Sequence, residues 1–375
     1  MMLGFLPRRL AILPWKVIFA ITGLSLFGTA VLYSAAGASM QPWATAHLMQ
    51  FAVFLVLALA VRMMGLNLLR QVALPAYGAC LFLLLLVEII GQVGGGSQRW
   101  LSLGPLTIQP SELMKLSIIM ALARFYEMLP AAETANWKAT GLAAAIMGAP
   151  AVLVLVQPDL DTALVLIVAG AVVMFLAGAP LRLFMLAGGA AAVLAPLAYF
   201  FVLQPYQQVR LISFIDPESD PLGAGYHVIQ SKIAIGSGGI FGKGFLKGTQ
   251  GQLQYLPEHH TDLVFATLFE EWGLFIGLGL LALYLWLFHW GYRTARRSTS
   301  RFGKLLAAGV TTTVFFYVAM NMLTATGVTP VMGIPLPFIS HGGSAMMTIM
   351  LAFGLIMTVE REELRLHDER EQFRL

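Results

Sequence analysis

Apolar residues dominate ten stretches of the chain, at about 16–35, 45–64, 72–92, 111–129, 138–156, 160–181, 183–204, 262–291, 303–326 and 340–359. Each is close to the roughly 20 residues a helix needs to cross about 30 Å of hydrocarbon. None alternates polar with apolar residues at period two, so barrel strands are excluded and helices remain. The pattern therefore predicts an all-α polytopic membrane protein with about ten transmembrane helices. Gln157-Pro158-Asp159 and Gly178-Ala179-Pro180 separate closely spaced helices, because proline cannot continue a helix.

One long polar interval, about 205–261, lies between the seventh and eighth spans. Basic residues decide its side. With the N-terminus inside, the inner loops hold Arg8, Arg9 and Lys16, then Arg62 and Arg70, Arg124 and Lys138, and Arg182. The next inner loop runs from Arg293 to Lys304, and the Arg361–Arg374 tail follows. The short outer loops hold almost none. By the positive-inside rule both termini are cytoplasmic, and the 205–261 loop is extracytoplasmic. Its Gly225–Ile235 segment could form an amphipathic helix on the bilayer surface.

Composition agrees. Of 375 residues, 58% are hydrophobic and 11% charged, against about 25% charged in soluble domains. The net charge of +4 sits in short loops, which reads as topology rather than nucleic-acid binding. The one cysteine, Cys80, lies in an apolar run and has no disulfide partner in the chain.

Ionisable groups near membrane depth are functional candidates by default. Glu112 and Lys115, three apart, share a helix face; they either neutralise each other or line a polar cavity. Asp262 opens the eighth span, either as a carboxylate favoured by the helix dipole or as a chemical group. Arg99 and Arg210 fall on the same outer side, where they pair with lipid phosphates in general or clamp one diphosphate. Asp159 and Asp161 sit where a helix cap is needed. His259 and His260 are adjacent, a poor spacing for ligands on one helical face. Glu270 and Glu271 lie deeper in the eighth span. The uncharged stretch from Thr326 to Ser344, rich in glycine and proline, predicts a re-entrant or broken-helix loop.

Several blocks carry a resemblance. Arg99-Trp100 runs into Ile108-Gln109-Pro110-Ser111-Glu112-Leu113-Met114-Lys115. Gln157-Pro158-Asp159-Leu160 follows, then Gly236-Ser237-Gly238-Gly239 and Gly242-Lys243-Gly244. Leu256-Pro257-Glu258-His259-His260-Thr261-Asp262 comes next, and Gly333-Ile334-Pro335-Leu336-Pro337-Phe338-Ile339-Ser340-His341-Gly342-Gly343-Ser344 is last. In this order they resemble the SEDS family (shape, elongation, division and sporulation), and its elongation member more than its division member. Asp161 and His341 depart from the family, which commonly has glycine and tyrosine there.

The resemblance implies that 1–375 is a single SEDS-type transmembrane domain of the cell inner membrane. It implies a peptidoglycan glycosyltransferase that polymerises lipid II during cell elongation and rod-shape maintenance. Asp262 is then the catalytic residue, and Glu112, Lys115, Arg99, Arg210, Asp159 and Lys243 are the substrate-binding cavity residues. It also implies a class B penicillin-binding protein partner, other elongation-complex membrane proteins, and a divalent cation, Mg or Mn. The alternatives are a lipid II flippase, which needs a polar path through the whole membrane, and a scaffold. Charges gathered at the outer ends of spans favour outer-leaflet chemistry over transport.

Overall fold

The computed structural model describes residues 13–94, 97–103, 106–201, 203–219, 223–253, 255 and 260–372. Of the sequence features above, Arg8, Arg9, Leu256, Pro257, Glu258, His259 and Arg374 fall outside these residues.

Ten long helices match the ten apolar stretches: α1 Trp15–Ala35, α2 Trp43–Met64, α3 Leu66–Ile90, α4 Pro110–Met128, α5 Trp137–Val156, α6 Leu160–Ala177 and α7 Leu181–Phe201, then, after shorter elements, Val264–Arg297, Arg301–Ala325 and Gly343–Gln372. Among the described residues nine of them are long and apolar enough to span a membrane, making this a multi-pass membrane protein. The tenth, α4, carries Glu112, Lys115, Arg124 and Glu127. It tolerates them because α3, α5, α6 and the last two long helices pack around it, so protein rather than lipid meets its charges. At the other extreme, α7 contains no buried residue.

The all-α reading holds, and one small sheet is added to it. Between α3 and α4 the chain forms a three-stranded antiparallel sheet, β1 Gln92–Gly94, β2 Ser97–Leu103 and β3 Leu106–Ile108, in the order β1-β2-β3. Strands of three to seven residues are too short to show a period. The sheet carries Arg99 on β2 and delivers the chain to Pro110, the first residue of α4, where a missing N–H costs nothing.

The long loop is also structured. It contains α8 Pro205–Ile215, α9 Ala224–Gly238 and the single turn α10 Thr249–Gln252. The α9 helix does form where the pattern placed one, but it packs on the following long helix, α11 Val264–Arg297. Its Ser231 hydroxyl donates at 2.6 Å to the Ala325 carbonyl, at the end of α12 Arg301–Ala325. The segment is docked on protein at these points. The last helix, α13 Gly343–Gln372, lies along α2.

The α11 helix is broken at Gly273, where φ is 72° and ψ is −177°. This backbone region is open essentially to glycine alone. The break frees helix carbonyls and N–H groups, which cannot stay unpaired in a membrane bundle. The 239–244 loop supplies partners. Lys243 and Gly244 donate their N–H groups to the Glu270 and Glu271 carbonyls at 2.9 and 3.0 Å, and Leu274 and Phe275 donate to the Gly239 and Ile240 carbonyls at 3.0 Å each.

A methyl group at position 273 would meet the Gly242 nitrogen at 2.2 Å. Gly273→Ala should therefore cost about 1–3 kcal/mol and lower the melting temperature in detergent. Gly279→Ala, on the same helix with open space around it, should melt like the parent. Equal melting of the two variants would refute the need for the break.

Candidate functional site

Asp262 sits in the turn just before α11, whose first residue is Val264 and whose N-cap residue is Leu263. The carboxylate therefore does not open the helix as its cap. Three ties hold this turn. The Asn321 amide of α12 donates to the Asp262 carbonyl at 2.9 Å and to the Ile334 carbonyl at 2.8 Å. The Ser340 hydroxyl donates to the Thr261 carbonyl at 2.6 Å and accepts from the Leu336 N–H at 2.8 Å. The His341 N–H donates to the His260 carbonyl at 2.9 Å, and the Trp43 ring stacks on the His260 ring with centroids 4.0 Å apart. The uncharged 326–342 segment is thus a packed loop that positions Asp262. Gly333 lies so close that a Cβ there would be 3.7 Å from the Asp262 Oδ2.

Asp262 lines a cavity of about 470 Å³ with Arg210, Tyr206, Ser213, His227 and Val331. A smaller adjoining pocket shares Tyr206, Arg210 and Val331 and adds Arg99, Asp159 and Asp161. Both arginines meet an aspartate. Arg99 lies 3.3 Å from Asp159, and Arg210 lies 3.2 Å from Asp161. Asp159 also caps α6, accepting from the Thr162 N–H at 3.1 Å and the Thr162 hydroxyl at 2.9 Å. The Pro158 carbonyl accepts from the Tyr206 hydroxyl at 2.6 Å and from Arg99 at 3.4 Å, joining α8, β2 and the start of α6.

Glu112 and Lys115 are 6% and 3% exposed and 2.5 Å apart. Tyr317 of α12 completes the group: its hydroxyl donates to Glu112 at 3.0 Å and accepts from Lys115. Neither charged residue lines the Asp262 cavity. Tyr317 and Asn321 lie one turn apart on α12, about 6 Å along its axis, so the ion pair braces the helix that carries the Asp262 tie.

Lys243 is placed elsewhere. Its ammonium is 2.6 Å from the Glu270 carboxylate, which also accepts from the Thr249 N–H at 2.9 Å and the Gln250 N–H at 3.1 Å. Glu271 accepts from the Ser34 hydroxyl at 2.5 Å and the Gly248 N–H at 3.3 Å. These groups clamp the 239–250 loop to the break in α11, two turns beyond Asp262. Lys243 neutralises a fully buried carboxylate there and does not reach the cavity.

Sequence reasoning missed Asn321, Ser340 and Trp43. A lone asparagine in an apolar run could have signalled Asn321, since a buried amide needs partners. Among the described residues no three His, Cys, Asp or Glu side chains gather where they could hold a metal ion. Among the described residues the side chains do not make a protein-held cage for the divalent cation that the resemblance implied.

Comparison with known proteins points one way. A family model described as cell cycle protein, for FtsW, RodA and SpoVE, matches residues 10–365. The peptidoglycan glycosyltransferase MrdB of Escherichia coli is 40% identical over 345 residues, 92% of each chain. The peptidoglycan glycosyltransferase RodA of Treponema pallidum is 31% identical over 380 residues, covering 82% of this chain and 87% of the relative. Among solved structures, a chain reported under the structural coordination of polymerization and crosslinking by a peptidoglycan synthase complex superimposes with a TM-score of 0.80. It is 32% identical and covers 93% of this chain and 98% of its own. The crystal structure of the rod shape determining protein RodA of Thermus thermophilus gives a TM-score of 0.71 at 29% identity, covering 93% and 97%.

Two outcomes follow from these contacts. Lys115→Met leaves Glu112 buried without its cation and should destabilise the fold by about 3–5 kcal/mol; adding Glu112→Gln should restore part of the loss. Thermal melts of the single and double variants would disprove the pairing if the double were no more stable. Burial holds the His341 imidazole below its ordinary range. As pH falls through about 6.5 the unfolded chain takes up a proton that the folded chain refuses, so stability drops on the acid side. The melting temperature should fall from about pH 7.5 to about pH 5.5, and less so in His341→Tyr; an equal fall in both would exclude His341 as a source.

Proposed function

This chain belongs to the cell cycle protein family of FtsW, RodA and SpoVE, and we propose that it joins lipid II units into glycan strands with Asp262 as general base. It is a peptidoglycan glycosyltransferase of the RodA kind, acting in cell shape. The observation that carries the residue assignment is that Asp262 and Arg210 line one cavity.

The reaction asks for two different things at two places. The 4-hydroxyl of the acceptor sugar must lose a proton as its oxygen bonds the anomeric carbon of the donor. The bond from that carbon to undecaprenyl diphosphate breaks, and the diphosphate takes the electron pair. Asp262 accepts the hydroxyl proton. The leaving diphosphate is already anionic and needs cationic neighbours rather than a proton, which Arg210 and Arg99 supply. A single carboxylate then suffices, where a glycosidase uses two. Glu112 and Lys115 act on the site through α12, and Asp159 holds Arg99 in place. A divalent cation would enter with the diphosphate, since the described side chains give it no cage of their own.

The cavity then opens on the outer face of the cell inner membrane, with both termini cytoplasmic. Basic residues in alternate short loops support that orientation. A peptidoglycan strand also needs crosslinking, and a class B penicillin-binding protein is the fitting partner within a set of elongation-complex membrane proteins. The solved peptidoglycan synthase complex, in which polymerization and crosslinking are coordinated, supports this pairing by analogy.

The test is polymerisation of labelled lipid II by purified protein with its partner, resolved as chain products on a gel. Asp262→Ala should give no glycan chains while retaining partner binding and a parental melting temperature. Chains of parental length and yield from that variant would end the general-base assignment.

A further inference from the structure

We propose that Asp161 is a built-in competitor of the donor's diphosphate for Arg210, and that it thereby sets how tightly the donor binds. The inference rests on reading Arg210 as a diphosphate-holding group.

The two aspartates at the start of α6 are not equivalent. Asp159 is the N-cap residue, and its two oxygens serve the Thr162 N–H and hydroxyl. Its pairing with Arg99 is therefore tied to the helix start. Asp161 lies beyond the cap, within the first turn, and is not needed to begin the helix. Its Oδ2 faces Arg210 at 3.2 Å and also accepts the Gly333 N–H at 3.3 Å. One carboxylate oxygen thus bridges α6, α8 and the loop against Asp262.

Arg210 belongs to both the Asp262 cavity and the pocket that holds Asp161. Its side chain is 45% exposed, against 24% for Arg99, and its guanidinium leans over the Tyr206 ring at 5.8 Å. It is accessible to an incoming anion, but a carboxylate already occupies part of its fork of donors. A diphosphate reaching Arg210 meets Asp161 as a rival acceptor. The pair is open to solvent on its Arg210 side and only partly buried at Asp161, and ion pairs reached by water are weak, which suits displacement by a stronger, multiply charged ligand.

The experiment measures binding of undecaprenyl diphosphate, in detergent micelles, to the full chain, and KM for lipid II in the polymerisation assay. Asp161→Asn keeps the shape and an acceptor for the Gly333 N–H while removing the charge. It should tighten binding about threefold, the scale of one ion pair reached by water, and lower KM in step. Asp161→Ser should act in the same direction. In an Arg210→Ala background the gain should vanish, since the effect runs through that side chain. Unchanged or weaker binding by Asp161→Asn would overturn the proposal, as would a gain that persists without Arg210. If Arg210→Ala alone left binding at the parental level, the diphosphate reading of Arg210 would fall first, and that result is separable from the response at position 161. A purely structural role for Asp161 would instead raise KM and lower the melting temperature.

Discussion

The Asn321 amide donates to two carbonyls from different parts of the chain, at Asp262 and Ile334, and the geometry of the site hangs on that fork. Inside a bundle that lipid surrounds, a buried backbone carbonyl must find its donor within the protein. A turn at the end of a membrane helix and a loop of prolines and glycines each leave such carbonyls. One buried amide answers both and fixes the turn against the loop. Ser340 repeats the device a few residues away, donating to Thr261 while accepting from Leu336. The carboxylate of Asp262 is thus carried on backbone that neighbours hold from two sides. A cavity that sets a carboxylate beside an arginine keeps its shape without a ligand only if the backbone beneath it is tied in this way.

The same constraint explains the other charges. Glu112 with Lys115 and Tyr317, and Glu270 with Lys243 and the 249–250 N–H groups, are two closed sets in which each carboxylate has a cation and further donors. The first braces α4 against α12, and the second holds a loop across the break in α11. Such sets add little net stability over apolar packing, yet removing one member is costly. Their value lies in registering helices, and the Glu112 set registers the helix that carries Asn321.

What the sequence disclosed follows from how far each signal extends. Ten helices were legible because each spreads over some twenty residues of apolar run, bounded by proline, glycine or basic loops. Asp262, Arg99 and Arg210 were legible as candidates because charge near an apolar run is rare. The sheet around Arg99 was not, since three-residue strands carry no pattern. Lys243 shows the limit from the other side. The resemblance carried by Gly242-Lys243-Gly244 marked it as a candidate, but its partner Glu270 lies 27 residues on, and only the fold brings them together. Asn321 was legible only as one polar residue in an apolar helix; its meaning lies in the carbonyls it meets, which the fold alone brings to it.

The division of labour in the cavity is the remaining step. Glycosidases need two carboxylates because their leaving group is an alcohol that must be protonated as it departs. A diphosphate departs as an anion of low basicity, and a proton donor would gain nothing there. An enzyme for the second reaction should therefore pair one carboxylate with cations and keep other acids out of reach. The Asp262 cavity fits that requirement: Arg210 is its cationic wall, and the nearby acids Asp159 and Asp161 are each bound to an arginine. Those aspartates hold the arginines in place before the substrate arrives and neutralise them while the cavity is empty. On the proposed reading, the grip on diphosphate is assembled in advance, and its strength is set by what the carboxylates release.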